Sequence, residues 1–159
     1  MAQDIKKVAV IGSGVMGSGI AAQIANAGVP VVLLDIVPPD LEKAGGDRNA
    51  FAKGAIAKML KTDPAPFMRK SNAKLITPGN LDDDLDQLGD CDWIIEVVLE
   101  DVKVKHATYA KIEANRKKGS IVTSNTSTIP LAKLVEGQPE NFKNDFMITH
   151  FFNPPRYMR

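Results

Sequence analysis

Residues 5–35, IKKVAVIGSGVMGSGIAAQIANAGVPVVLLD, contain the pattern that decides the fold. They begin with a short apolar run, residues 5–11, rich in β-branched side chains, which predicts a strand buried on both faces of a sheet. Residues 15–27 carry apolar side chains at helical spacing, and Gly28 is well placed to end that helix in the left-handed conformation. A second apolar run ends at Asp35. The stretch therefore predicts a β-α-β unit.

The turn between the first strand and the helix, residues 12–17, has the sequence GSGVMG and matches the pattern G-x-G-x-x-G. The pattern alone is weak, but its position after a strand and at the start of a helix is typical of a dinucleotide-binding loop. Gly12 permits a tight turn, Gly14 lets the backbone approach a pyrophosphate, and Gly17 lets helix and strand pack closely. The pyrophosphate is expected at the helix N-terminus.

Asp35 supplies the acidic partner of this loop, eighteen residues after Gly17. A carboxylate at the tip of the second strand can accept both ribose hydroxyls, and it would repel a 2′-phosphate, so NAD is favoured over NADP. The alternative is a purely structural βα turn with an ordinary surface aspartate. A phosphate-binding P-loop is excluded, because G-x-x-x-x-G-K-[ST] does not occur.

The rest of the chain alternates predicted strands and helices. Further strands are predicted at 31–34, 74–77, 93–99, 121–123 and 146–152. Helices are predicted at 40–61, 63–72, 102–117 and around 131–135, with a turn at 78–80 and a helix start at the acidic run 82–84. This alternation predicts an α/β fold with a doubly wound parallel sheet of the Rossmann type, in a single domain over residues 1–159.

Composition excludes several other classes of protein. The net charge is +1, from 20 basic and 19 acidic side chains, which argues against a nucleic-acid-binding surface. Cys91 is the only cysteine, so no intrachain disulfide is possible, and no Cys/His cluster has metal-ligand spacing. No stretch approaches the roughly 20 apolar residues of a membrane span, and the N-terminus shows no targeting signal. A cytoplasmic location is the expectation.

Four stretches of the sequence resemble the 3-hydroxyacyl-CoA dehydrogenases. The glycine loop with its continuation to residue 21 resembles the opening of that family. The other three are the segment 95–101 with Lys103 and Lys105, the segment 124–127, and the segment 150–155, with the sequences IEVVLED, SNTS and HFFNPP. Together they span nearly the whole chain, and the last two are specific when found in this order.

The resemblance implies a reaction and a set of site residues. The reaction is the NAD-dependent oxidation of an L-3-hydroxyacyl-CoA to the 3-ketoacyl-CoA in fatty-acid β-oxidation. His150 corresponds to the catalytic base, Ser127 lies near the 3-oxygen of the substrate, and Asn153 lies beside the histidine. Imidazole suits this role because it titrates near neutral pH. The cofactor-binding residues are then Gly12, Gly14, Val15, Met16, Gly17, Asp35, Glu100, Lys105 and Asn125.

Without the resemblance, other interpretations of these residues stay open. A lone histidine after an apolar strand is more often structural, and the segment 124–128 could be an ordinary cap before a helix. Two other functions also remain: a non-catalytic dinucleotide-binding module, and a dehydrogenase of another short 3-hydroxy acid. The presence of Asn125, Ser127, His150 and Asn153 together argues against a module that only binds the cofactor.

The family pattern continues beyond the last residue of this sequence. In the family, a glutamate that orients the catalytic histidine follows the position of Arg159, and a helical domain then completes the acyl-CoA pocket. We therefore expect the chain to be part of a longer enzyme that is a homo-oligomer through that helical domain. We also expect the 159 residues alone to bind NAD but to turn over substrate poorly or not at all.

Overall fold

Six strands form one parallel sheet in the computed structural model, which describes residues 4–158. The strands are β1 (Val8–Ile11), β2 (Val31–Asp35), β3 (Ile76–Asn80), β4 (Trp93–Glu96), β5 (Ile121–Ser124) and β6 (Phe146–Ile148). Their order across the sheet is β3-β2-β1-β4-β5-β6, and every neighbouring pair is parallel. This order confirms the doubly wound fold, with its switch point between β1 and β4.

Helices cover both faces of the sheet. They are α1 (Val15–Asn26), α2 (Ala50–Met59), α3 (Val102–Asn115), α4 (Leu131–Leu134) and α5 (Glu140–Asp145), with 3₁₀ turns at Lys70–Leu75 and Leu85–Asp90. None of the helices found within residues 4–158 combines the length and the apolar character needed to cross a bilayer.

The central strand β1 divides the core into two layers. Val8 and Val10 face a cluster that includes Ile20 of α1, whereas Ala9 and Ile11 face a cluster that includes Tyr109 of α3. Alternate residues of a strand point to opposite faces, so a strand covered on both sides must be apolar throughout. All four β1 residues are at most 1% exposed, which confirms the interpretation of the first apolar run.

The predicted β-α-β unit is confirmed, with one change at its start. The first strand begins at Val8 rather than at residue 5, because the N–H groups of Lys6 and Lys7 donate to the Asp92 carboxylate at 2.8 and 3.1 Å. Gly28 follows α1 with a φ of +82°, as the C-terminal stop requires.

Two predicted helices between β2 and β3 are wrong in extent or position. The predicted helix 40–61 is reduced to α2, because residues 41–46 form turns in which Gly45 and Gly46 adopt positive φ values of 64° and 77°. The structure shows no α-helix over residues 63–72, where one was predicted. Pro64 and Pro66 disfavour helical backbone in the residues before them, and a 3₁₀ turn starts only at Lys70.

Several strand and turn boundaries also differ from the sequence prediction. The turn predicted at 78–80 is the second half of β3, which tolerates Pro78 because it is an edge strand. The strands predicted at 93–99 and 146–152 stop at Glu96 and Ile148. The acidic run 82–84 precedes a 3₁₀ turn rather than an α-helix. Helix α5 was not predicted, whereas β5 and α4 were.

Candidate cofactor and active site

The glycine loop is built by close approaches of the backbone. Gly12 joins β1 to α1 with a φ of +102°, and a Cβ there would lie 2.5 Å from the carbonyl oxygen of Val97. A Cβ on Gly17 would lie 1.8 Å from the carbonyl oxygen of Gly12. The loop and the first turn of α1 can therefore pack in this way only with glycine at both positions.

Gly14, unlike Gly12 and Gly17, borders open space, which we call the open cradle. It is the N-cap residue of α1, it is exposed, and a Cβ there would have no atom within 4 Å. Within residues 4–158 no side-chain hydrogen bond caps this helix, so the N–H groups of its first turn have no side-chain acceptor there. Such a helix end with a glycine at its tip fits the pyrophosphate of a dinucleotide.

Asp35 is held beside this loop at the end of β2. Its Oδ2 accepts a hydrogen bond from the Ser13 N–H at 2.7 Å and another from the Ser13 hydroxyl. Its Oδ1 accepts from the Ile36 N–H at 2.7 Å. Each carboxylate oxygen can accept more than one hydrogen bond, so the group is oriented but keeps capacity for a ribose hydroxyl.

Glu100 organises the segment that follows β5. Its Oε1 accepts hydrogen bonds from the Thr126 hydroxyl, from the Thr128 hydroxyl at 3.1 Å, and from the Ser127 and Thr128 N–H groups at 3.3 Å. Burial alone would raise the pKa of Glu100. The Thr126 hydrogen bond and the Lys105 charge outweigh burial and hold this pKa at about 2. Glu100 is therefore charged at neutral pH and fixes the backbone around Ser127.

Lys105 lies below this surface rather than on it. Its side chain is 1% exposed, and its Nζ lies 2.8 Å from Oε1 of Glu96 and 3.3 Å from Oε2 of Glu100. Glu96 is a residue that the sequence prediction did not single out, although a carboxylate inside the apolar run 93–99 was a visible signal.

Asn125 connects the end of β5 to the segment that carries His150. Its N–H donates to the Glu96 carbonyl at 2.9 Å, and its Oδ1 accepts from the Phe151 N–H at 2.8 Å. The Thr149 N–H donates to the Ser124 carbonyl at 3.1 Å. The backbone on both sides of His150 is therefore anchored to the carboxyl end of β5.

His150 itself is exposed just beyond β6. Its ring meets the Phe152 ring edge-on, with centroids 5.0 Å apart, and it has no hydrogen bond within the described chain. Asn153 lines a cleft of 480 Å³ together with Gly14 and Val15 of the glycine loop. The fold thus brings Asn153 to the glycine loop and ties the His150 segment to Asn125. Among the described residues, no hydrogen bond links His150 directly to Ser127 or Asn153.

Asp35, Glu100, Asn125 and His150 lie at or just after the carboxyl ends of β2, β4, β5 and β6, the edge of the sheet at which doubly wound proteins bind dinucleotides. Fold and loop together define a dinucleotide-binding domain. Residues 7–159 match the family described as "3-hydroxyacyl-CoA dehydrogenase, NAD binding domain". The chain belongs to this family, and NAD is the cofactor of the family.

Two of the curated relatives carry the name of this family, and a third is named for fatty acid oxidation. The chain is 49% identical to a "Probable 3-hydroxyacyl-CoA dehydrogenase" of Bacillus subtilis, over 100% of this chain and 21% of the relative. It is 51% identical to a protein of the same name from Deinococcus radiodurans, over 97% of this chain and 43% of the relative. A "Fatty acid oxidation complex subunit alpha" of a Psychrobacter species is 37% identical over 99% of the chain and 21% of the relative.

Solved structures agree with the fold. The chain superposes on the 3-hydroxybutyryl-CoA dehydrogenase of Escherichia coli K12 with a TM-score of 0.73 and 28% identity, covering 98% of this chain and 31% of that one. The chain thus spans less than half the length of each of these four proteins.

Proposed function

We propose that the protein contributes the NAD-binding half of a 3-hydroxyacyl-CoA dehydrogenase, which oxidises an L-3-hydroxyacyl-CoA to the 3-ketoacyl-CoA in fatty-acid β-oxidation. Family membership and the names of the relatives support the reaction class. Because the relatives are longer, we propose that residues 1–159 act as one domain of a longer enzyme. From the family resemblance alone, we further propose that this enzyme is a homo-oligomer. Residues 1–3 and 159 of that domain lie outside the described residues.

The glycine loop and Asp35 are assigned to the adenosine and pyrophosphate end of the cofactor. The open cradle at Gly14 and the uncapped start of α1 support the pyrophosphate site. The carboxylate of Asp35, oriented by Ser13, is placed to accept ribose hydroxyls. Glu100 and Asn125 are assigned to the nicotinamide-side half, and Lys105, which the sequence analysis counted among the cofactor-binding residues, is assigned to the support of Glu100 because its side chain is 1% exposed. NAD, when bound, supplies the hydride acceptor of the reaction.

His150 is assigned as the catalytic base. A ring nitrogen of His150 takes the proton of the substrate 3-hydroxyl, and returns it to the ketone oxygen in the reverse direction. Ser127 donates a hydrogen bond to the same oxygen and polarises the ketone, with Asn153 beside the histidine. The imidazole is available for this role because it is exposed and its ring makes no hydrogen bond within residues 4–158.

One observation carries the assignment of His150 to this site. The Asn125 side chain accepts the Phe151 N–H at 2.8 Å, so the residue next to His150 is bonded to the same short segment that presents Ser127. Adjacent strands of a sheet can be linked in this way in any protein. The presence of Ser127 and His150, two side chains that can take part in proton transfer, on the two linked segments favours an enzyme over a binding module.

The substrate class is tested by comparing a CoA thioester with the free acid. The longer enzyme that contains these residues is expected to consume NADH when acetoacetyl-CoA is added, and to leave NADH untouched when acetoacetate is added at the same concentration. The measurement is the loss of NADH absorbance with time. Equal rates with both compounds would favour a dehydrogenase of free short 3-hydroxy acids, and no turnover with either would favour a binding module.

A further inference from the structure

A buried carboxylate without a role in the proposed reaction lies directly below the site. Glu96 ends β4 and is 0% exposed. Its Oε1 accepts hydrogen bonds from the Lys105 ammonium and the Val98 N–H, both at 2.8 Å. Its Oε2 accepts from the Ser124 hydroxyl at 2.7 Å and from the Tyr109 hydroxyl at 2.9 Å. Both oxygens are thus held by two donors each, and these donors come from three parts of the chain: the segment after β4, helix α3 and strand β5.

The donors of this cluster are themselves fixed. Burial and the neighbouring Glu96 charge raise the pKa of Tyr109, so its hydroxyl stays protonated and donates to the carboxylate. Lys105 and Tyr109 are four residues apart on α3 and therefore face Glu96 from the same side of the helix. Ser124 closes the cluster from β5, the strand next to β4.

Lys105 connects Glu96 to Glu100, because its ammonium group is ion-paired with both carboxylates. A lysine that is 1% exposed must be paired, because an unpaired buried charge is costly. Its shorter contact is to Glu96 at 2.8 Å, and its longer contact is to Glu100 at 3.3 Å. The Glu100 side chain is 39% exposed, so water can solvate it, whereas Glu96 has only its protein donors. Glu96 is thus the fixed end of the chain of contacts.

Glu100 in turn holds the segment that contains Ser127 by hydrogen bonds. Its Oε1 holds the Ser127 and Thr128 N–H groups at 3.3 Å and both neighbouring threonine hydroxyls. Within residues 4–158, Lys105 is the cation that is ion-paired with Glu100. Without it, we expect Glu100 and the Ser127 segment bonded to it to be less firmly positioned.

We propose that Glu96 is a positioning residue for the nicotinamide-side half of the cofactor site, acting through Lys105 and Glu100 on the segment 126–128. The proposal rests on the proposed function, since it assumes that this half of the site receives the nicotinamide. A merely structural Glu96 would stabilise the sheet and would affect all parts of the cofactor equally. A positioning Glu96 affects only ligands that carry the nicotinamide ring.

The test compares NADH with ADP-ribose, which lacks the nicotinamide ring, in calorimetric titrations of the 159-residue chain and its Glu96→Gln variant. Glutamine keeps the shape of the side chain and removes its charge. We expect the Kd for NADH to rise about tenfold and the Kd for ADP-ribose to change less than about twofold. The fluorescence enhancement of bound NADH should fall as well. Equal changes for both ligands, or no change for either, would overturn the proposal.

Two further variants keep the test decisive. Tyr109→Phe removes one donor to Glu96 at 2.9 Å but leaves the ion pair, so the ratio of the two affinities should stay that of the wild type while Tm falls. Lys105→Met breaks the ion pair from the other side and should reproduce the selective loss of NADH binding, even where Glu96→Gln does not fold. An unchanged ratio in Lys105→Met would overturn the positioning role. Wild-type protein that binds neither ligand would instead remove the proposed function.

Discussion

Replacing Gly17 with alanine is expected to lower NADH affinity on the order of 100-fold and the free energy of unfolding by about 3 kcal/mol. The new Cβ would lie 1.8 Å from the Gly12 carbonyl oxygen. Since the backbone fixes the position of both atoms, no side-chain rotation can relieve the clash. Helix α1 would have to move away from the loop, and its N-terminus would leave the place where the pyrophosphate is expected. Urea unfolding and calorimetric titration with NADH measure the two effects.

Two other glycines provide matched controls for this variant. Gly54→Ala lies on the exposed side of α2 with no atom within 4 Å, so it should raise stability by about 0.5–1 kcal/mol and leave NADH binding unchanged. Gly14→Ala also places its Cβ in open space, so the variant should fold normally. Its NADH affinity should fall because the new methyl group occupies part of the open cradle. A Gly17→Ala protein with wild-type stability and affinity would contradict the close packing seen at the loop.

Replacing His150 with glutamine is expected to lower kcat of the longer enzyme about a thousandfold, because general acid–base catalysis by one side chain contributes roughly that much. NADH affinity should stay close to the wild-type value. The imidazole is exposed and its ring packs against the Phe152 ring with centroids 5.0 Å apart, so its loss should disturb little of the fold. Steady-state kinetics with acetoacetyl-CoA and a parallel NADH titration separate the two quantities.

The second histidine is the control for this variant. His106 lies on α3, its Nε2 is 2.9 Å from the Lys133 carbonyl oxygen, and among the described residues no hydrogen bond joins it to His150 or Ser127. His106→Gln should keep the wild-type rate. The catalytic assignment fails when His150→Gln turns over at the wild-type rate, or when both histidine variants lose activity equally.

Features whose signals are local in sequence could be predicted. The strand, loop and helix of residues 5–28 each carry their own pattern. Gly12 and Gly17 are needed by close contacts within that short stretch and with Val97 after β4, whereas Gly14 leaves open space for a ligand. The carboxyl ends of parallel strands meet at one edge, so the placement of Glu100, Asn125 and His150 near that edge followed from the strand order. The structure places these three residues at the expected edge of the sheet, and their roles in binding and catalysis stay predictions.

Features that depend on distant partners could not be predicted. The Glu96 cluster needs a helix residue, a tyrosine and a serine 28 residues away, and no pattern in the sequence announces that they meet. The segment 63–69 had a good helix start in Asp63 and Pro64. Its carbonyls at Ala65 and Phe67 instead accept hydrogen bonds from Arg156, about 90 residues further along. Tertiary contacts override local preference in both places.

The most direct test of NAD binding through the glycine loop and Asp35 is a calorimetric titration of the 159-residue chain with NADH and NADPH, repeated on Asp35→Ala. Asp40→Ala, which removes an exposed carboxylate five residues away, is the control. We expect the wild type and the control to prefer NADH by at least about tenfold, and Asp35→Ala to lose that preference as its NADH affinity falls. Equal binding of NADH and NADPH by the wild type, or an unchanged preference in Asp35→Ala, would contradict the role of Asp35 in NAD binding.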